Sequence, residues 1–136
     1  MACWLNRKPL PAHLRYGQLG EREAKKHLRR LGMKFLTANF RTDRGEIDLV
    51  MRDGDCLVFV EVKIRSSEDW TRPAAAVDAD KRRHLSLAAL DHLRLLGNPQ
   101  IKMRFDIVEV LLEEETVRQV RHLPNAFTLS APCRYG

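Results

Sequence analysis

Gly17, Glu21, Ala24, Leu28 and Leu31 recur at helical spacing, so residues 13–31 read as an amphipathic helix with Lys25, Lys26, Arg29 and Arg30 on its other sides. Gly32 follows as a natural C-terminal stop. Beyond it the hydrophobic period falls to two. Residues 33–40 suit a strand and 41–44 a polar turn. Residues 46–52 alternate and residues 56–64 are rich in Val, Phe and Ile, so both read as strands. Asp53-Gly54 between them is a strong hairpin signal. A polar stretch, 65–71, leads through Pro73 to a second helix over 78–96, with Asp78 or Asp80 near its N-cap and Gly97 past its end. Residues 101–112 form a long strand, 113–115 a charged turn and 116–123 a shorter strand.

The order α-β-β-β-α-β-β predicts helices flanking a mixed sheet, an α/β layer architecture. No repeat or Pro/Gly-rich linker divides the 136 residues, so the chain reads as a single domain over 13–123 with irregular ends at 1–12 and 124–136.

Glu61 and Lys63 interrupt the most apolar segment of the chain. Ionisable groups in a central strand are costly unless paired, metal-bound or placed at an open cleft. Alternation puts Phe59, Glu61 and Lys63 on one face and Val58, Val60, Val62 and Ile64 on the other. With Asp53-Gly54 as the turn, Arg52 pairs with Asp55 and Asp48 falls opposite Phe59, diagonal to Glu61 on the same face. A register one residue different would send Asp48 to the opposite face. Glu21 shares its stripe with Gly17, Ala24 and Leu28, the side expected to face the sheet. Taken singly, each charge has an ordinary explanation: a Glu-x-Lys strand usually makes a cross-strand ion pair, and Glu21 can pair with Lys25. Their coincidence carries the weight. Carboxylates and an ammonium on a common cleft, with no soft ligand among them, suit Mg²⁺ or Mn²⁺.

Such an ion polarises a phosphoryl oxygen and acidifies water, while a nearby lysine steadies developing charge, which is the chemistry of metal-assisted phosphodiester hydrolysis. A paired-carboxylate glycosidase would give Lys63 no role. Charge supports the first option. The net charge is +6, but residues 1–44 hold eleven Lys/Arg against Glu21, Glu23 and Asp43, a balance of +8, and the remainder carries −2. This one-sided field fits a polyanion, with nucleic acid ahead of an anionic membrane surface; a merely solvated basic helix is the plain alternative.

At 44% hydrophobic and 31% charged, the chain has globular composition, and its apolar runs fall short of the roughly 18 residues of a spanning helix. No membrane partner is expected. The opening MACWLNRKPLPAHLRYG lacks an apolar core and a small-residue cleavage site, so the cytoplasm is the expected compartment. Cys3, Cys56 and Cys133 are scattered, which argues against a disulfide framework and a zinc cage.

Gly17-x-x-Gly20-Glu21-x-x-Ala24, Asn39-x-Arg41, Gly45-Glu46-Ile47-Asp48-Leu49, Phe59-Val60-Glu61-Val62-Lys63-x-Arg65, Lys81 and Arg104-Phe105-Asp106 together resemble the YraN family of small bacterial proteins. That family is similar to the PD-(D/E)xK, or restriction-endonuclease-like, superfamily and, within it, to the archaeal Holliday-junction resolvases. The likeness runs from about residue 15 to residue 110. It implies an α-β-β-β-α-β core, Asp48 and Glu61 as metal ligands, Lys63 as the catalytic lysine and Glu21 as an acidic residue from the first helix. Ile47 stands where the superfamily motif has its proline. The implied activity is a metal-dependent nuclease on structured DNA, such as branched or recombination intermediates. The alternative is a nucleic-acid-binding module of a DNA repair or processing complex, with the fold kept and turnover lost. Symmetric cutting of a branched substrate would call for a two-fold homodimer.

Further residues are candidates for the rim. Arg41, Arg44 and Arg65 fall on loops expected near the site and are read as phosphate contacts, as are Lys81, Arg82 and Arg83 at the start of the second helix, where a solvated basic turn is the alternative. Glu46 is a rim carboxylate or a support for Asp48. His13, His27, His84, His92 and His122 show no ligand spacing and are read as structural or surface residues. Trp70 either stacks on an unpaired base or anchors its loop on the core. Trp4 carries no readable chemistry.

Overall fold

The computed structural model describes residues 10–70 and 77–135; Cys3, Trp4 and Pro73 lie outside them. The elements are α1 (Ala12–Arg30), β1 (Lys34–Thr42), β2 (Gly45–Asp53), β3 (Cys56–Arg65), α2 (Ser67–Trp70), α3 (Ala79–Leu95), β4 (Lys102–Glu113) and β5 (Thr116–Phe127). The strands form one sheet in the order β1-β2-β3-β4-β5, in which β3 and β4 run parallel and the other neighbours antiparallel. It is an α/β fold with a mixed sheet, consistent with a restriction-endonuclease-like αβββαβ core to which α2 and β5 are added. No described helix is long and apolar enough to cross a membrane.

The helix ends follow their signals. At the end of α1 the Gly32 N–H donates to Arg29 O at 3.0 Å and the Met33 N–H to Leu28 O at 3.2 Å. At the start of α3 the Asp78 carboxylate accepts from the Lys81 N–H at 2.8 Å, which settles the N-cap on Asp78.

The strands differ from the expectation in three places. β1 runs on to Thr42, so the turn shrinks to Asp43-Arg44. The next turn is Gly54-Asp55, with Asp53 opposite Cys56 and Leu49 opposite Val60. Gly54, with φ +59°, thus takes the first central position, where a type II′ hairpin wants glycine. Moving the turn by one residue shifts every cross-strand partner by two, so the faces are preserved. The last strand, expected to end at residue 123, runs to Phe127, and Leu129 and Tyr135 beyond it pack against the core.

Two apolar layers cover the sheet. Ala24 and Leu28 of α1 pack against Leu49, Met51, Val58, Val60, Val108 and Val110. Leu85, Ala88, Ala89 and Leu93 of α3 pack on the opposite face, against Ile47, Val50, Leu57, Phe59, Phe105 and Ile107. Phe59 and Val60 therefore face opposite layers, as the alternation in β3 predicts. In β2 the alternation slips: Leu49 lies with α1, but both Ile47 and Val50 lie with α3. The irregularity sits at Asp48.

Two glycines bring both helices close to that place. A Cβ on Gly20 would lie 2.1 Å from Ile64 Cδ1, so α1 approaches β3 next to Glu21. A Cβ on Gly45 would lie 2.3 Å from the His84 carbonyl oxygen, so the start of β2 touches the early turns of α3.

Candidate active site

Ladder pairing between β2 and β3 runs from Asp53 opposite Cys56 to Leu49 opposite Val60. Past that point the Val62 N–H donates to Asp48 Oδ2 at 2.8 Å. A carboxylate thus takes over a backbone bond where the two strands part. Asn39 on β1 faces Asp48 in register, between Ala38 opposite Leu49 and Phe40 opposite Ile47, and has a left-handed backbone with φ +53°. The two strands are irregular at facing positions.

Glu61 stands beside this opening. It is only 7% exposed, and its Oε2 has no hydrogen-bond partner. Its Oε1 lies 3.5 Å from Lys81 Nζ, brought in by the first turn of α3. Burial, reinforced by the charge of Asp48, pushes the Glu61 carboxyl up to about 7, although Lys81 and Lys63 oppose the rise. Burial also raises Asp48, against the hydrogen bond from Val62 and the charge of Lys81, with the charge of Glu46 adding to the rise and a hydrogen bond with the Glu61 carboxyl opposing it. Glu21 is raised by burial too, partly offset by Asn39 Nδ2, which donates to Glu21 Oε2 at 3.1 Å; the charges of Asp48 and Glu46 add to the rise. Charge thus couples Glu21 to Asp48 and Glu46, and Glu61 to Asp48, Lys63 and Lys81.

Among the described residues no group of three or more His, Cys, Asp or Glu is drawn together as a ready-made metal cage. The donors present are carboxylate oxygens, one of them buried and unsatisfied. Such a set fits a hard divalent cation that completes its shell with water and substrate oxygens, as Mg²⁺ commonly does.

The other candidates divide. Arg41 is exposed and reaches both oxygens of Glu46 at 3.3 Å. Arg82 and Arg83 are exposed at the start of α3. Arg44 instead pairs with Asp91 on α3, its Nε donating to Oδ2 at 3.2 Å. Arg65 is half-buried, its Nη1 donating to Glu109 Oε2 at 2.5 Å. Both are thus engaged by carboxylates in the free protein. Trp70 lies 4.0 Å under the Arg121 guanidinium, which ties α2 to β5. His92 is buried edge-on between Phe40 and Phe59, with ring centroids at 4.8 and 5.6 Å, and burial lowers its pKa. Asn39 is the residue that reading by charge passed over; its signal was an asparagine in a strand, a side chain that tolerates the left-handed region.

The sequence profile described as "Uncharacterised protein family UPF0102" matches residues 20–110, a stretch that includes every residue around the opening. The chain belongs to the UPF0102, or YraN, family. A UPF0102 protein of Solibacter usitatus is 45% identical over 111 residues, covering 80% of this chain and 83% of the relative. One of Syntrophus aciditrophicus is 40% identical over 118 residues, covering 87% and 92%. One of Geobacter sulfurreducens is 39% identical over 114 residues, covering 84% and 89%. The likeness to each spans most of both chains.

Proposed function

We propose that this UPF0102 protein is a cytoplasmic, divalent-metal-dependent nuclease that hydrolyses phosphodiester bonds in structured DNA, with branched or recombination intermediates as favoured substrates. Glu61 carries the reading: a carboxylate buried in a central strand, with one oxygen unpartnered, beside the carboxylate of Asp48. A buried anion left half-satisfied is costly, and a hard cation relieves that cost with an all-oxygen donor set.

Asp48 and Glu61 would hold Mg²⁺ or Mn²⁺, which supplies Lewis-acid polarisation of a phosphoryl oxygen and acidification of water. The Val62 N–H fixes the Asp48 carboxylate in the opening. Lys63 offers an ammonium to the charge that develops on the phosphate. Lys81 balances Glu61 in the free protein and stands with Arg82 and Arg83 where an entering phosphate would be met. Glu21, held by Asn39, supplies a third carboxylate to orient water by hydrogen bonding.

A non-catalytic nucleic-acid-binding module is the second reading, and the lack of a three-ligand cage among the described residues is what favours it. Incubation with linear, flapped, single-stranded and four-way DNA, in Mn²⁺ and in EDTA, separates the two. The nuclease should cut in Mn²⁺, stop in EDTA, and stop in Asp48→Asn and Lys63→Ala. Intact DNA in every arm, with binding preserved, would select the binding module. Symmetric cutting of the four-way substrate would further require a two-fold pair of chains.

A further inference from the structure

Arg22, Lys25, Lys26, Arg29 and Arg30 line one groove of about 440 Å³ on α1, on the side of the helix away from the buried Gly20, Ala24 and Leu28. Arg22 with Lys25 and Lys26, Lys25 with Arg29, and Lys26 with Arg29 and Arg30 all stand three or four residues apart. Like charges at those separations repel and weaken a helix. Elsewhere the fold spends its guanidinium groups on carboxylates: Arg44 on Asp91, Arg65 on Glu109, Arg104 on Asp106, Arg121 on Glu109. None of the five α1 cations makes an ion pair among the described residues. Lys25 Nζ instead lies 4.4 Å over the Phe35 ring.

This basic face leads into the carboxylate opening. Arg22 and Lys25 also line a depression with Glu21, Ala38 and Leu49. From Arg22 to Arg30 the helix rises about 12 Å, roughly the axial length of three to four base pairs.

We propose that the outward face of α1 is a track for the phosphate backbone of duplex DNA, carrying it past Arg22 and Lys25 to the Glu21 end of the opening. The proposal rests on the reading of DNA as substrate and adds where the duplex lies. A solvated face would gain nothing from holding these repelling charges together, whereas a polyanion relieves the repulsion of all five at once and releases counterions in doing so.

The test is binding of a labelled duplex of about 30 base pairs across a salt series in EDTA, where cutting is suspended. The variant Lys26→Ala/Arg29→Ala/Arg30→Ala removes three charges remote from Glu21 and replaces them with the best helix former, so folding is not at risk. A charge-matched control, Arg94→Ala/Lys102→Ala/Arg118→Ala, removes three cations that are paired with carboxylates. The α1 variant should bind about tenfold or more weaker, and its slope of log affinity against log salt should flatten by about two to three. The control should keep the wild-type slope. Equal losses in both variants would reduce the effect to net charge and overturn the track, as would an unchanged slope in the α1 variant or binding of anionic phospholipid vesicles in place of DNA. The two failures are distinguishable. If Asp48→Asn abolishes metal-dependent cutting while the α1 variant binds as wild type, only the track is lost; if the α1 slope falls but no substrate is cut in Mn²⁺, only the nuclease is lost.

Discussion

Asp106 on β4 and Glu61 on the neighbouring β3 are both buried carboxylates in the middle of one sheet, and they are treated in opposite ways. Asp106 is fully partnered: Arg104 Nε donates at 3.0 Å, the Asn125 N–H at 2.9 Å, and His122 Nε2 is hydrogen-bonded at 2.7 Å. Burial pushes its carboxyl up, but those donors outweigh burial and leave it below the usual carboxylate range. Glu109, opposite Lys63 on the neighbouring strand, is likewise held by Arg65 and Arg121. Glu61 has one partly exposed ammonium at 3.5 Å, the like charge of Asp48 beside it and an Oε2 that no donor reaches, and its carboxyl goes up to about 7. Burial is therefore common to both sets and distinguishes neither. What separates a carboxylate that stabilises the sheet from one suited to chemistry is whether its oxygens are already spent.

The comparison breaks most visibly in activity. Under the nuclease reading, Glu61→Gln should lower metal-dependent cutting by about 10³-fold or more, because it removes an anionic ligand worth several kcal/mol to the transition state. Rates per folded molecule on the four-way and duplex substrates measure it. Asp106→Asn should leave that rate within a few-fold of wild type and strike stability instead. It removes charge-assisted hydrogen bonds from Arg104, which keeps only Asp53, and from His122, a loss of about 2 kcal/mol in denaturant unfolding. A stable Asp106→Asn protein would show that this network is as dispensable as a surface ion pair.

Next in size is a pair of opposite pH effects, read by thermal unfolding in EDTA. Glu61 has a folded pKa of about 7, raised above the unfolded value of about 4.3, so its charged form penalises the fold. The penalty is absent below the unfolded value, grows as pH rises through the folded one, and is complete above it. Glu61→Gln should therefore stabilise the protein by about 1–3 kcal/mol at pH 8 and by nothing near pH 4. Asp106 has the reverse sign. Its stabilisation is whole above the unfolded value of about 3.9 and is lost as pH falls through its lower folded value. Acid unfolding should thus be blunted in Asp106→Asn and not in Glu61→Gln.

Local chemistry made most of the fold legible. Gly32 stopped α1 and Asp78 capped α3 because those signals act over a few residues. The hairpin turn moved by one residue yet kept side-chain parity along the paired stretch from Leu49 to Asp53, since glycine at φ > 0 is satisfied at either turn position; at Asp48 the ladder gives way to the Val62 N–H bond. β5 passed straight through Pro124 because it is an edge strand, where a missing N–H is tolerated, and because the Asn125 N–H goes to Asp106. Glu21, Asp48 and Glu61 announced themselves as charges on apolar faces. Arg44 and Arg65 did not reveal their fate, because their partners Asp91 and Glu109 lie 47 and 44 residues away, and no pattern along the chain encodes such a meeting.

The smallest expected effect concerns Asn39, where backbone and side chain can be separated. Its φ of +53° costs an L-residue with a Cβ about 1 kcal/mol unless the side chain tolerates the left-handed region, as asparagine does and glycine does better. Asn39→Gly should accordingly keep stability within about 0.5 kcal/mol of wild type, whereas Asn39→Ala should lose about 1 kcal/mol. Both variants remove the amide that donates to Glu21 Oε2, so in both the Glu21 carboxyl should rise further above its ordinary value, since that hydrogen bond now opposes burial. Carboxyl NMR titration of Glu21 reads the second effect, and denaturant unfolding the first. Equal stability of the two variants would mean that the irregularity facing Asp48 stores no strain. An unmoved Glu21 titration would mean that α1 itself, brought close by Gly20, holds this carboxylate without help from β1.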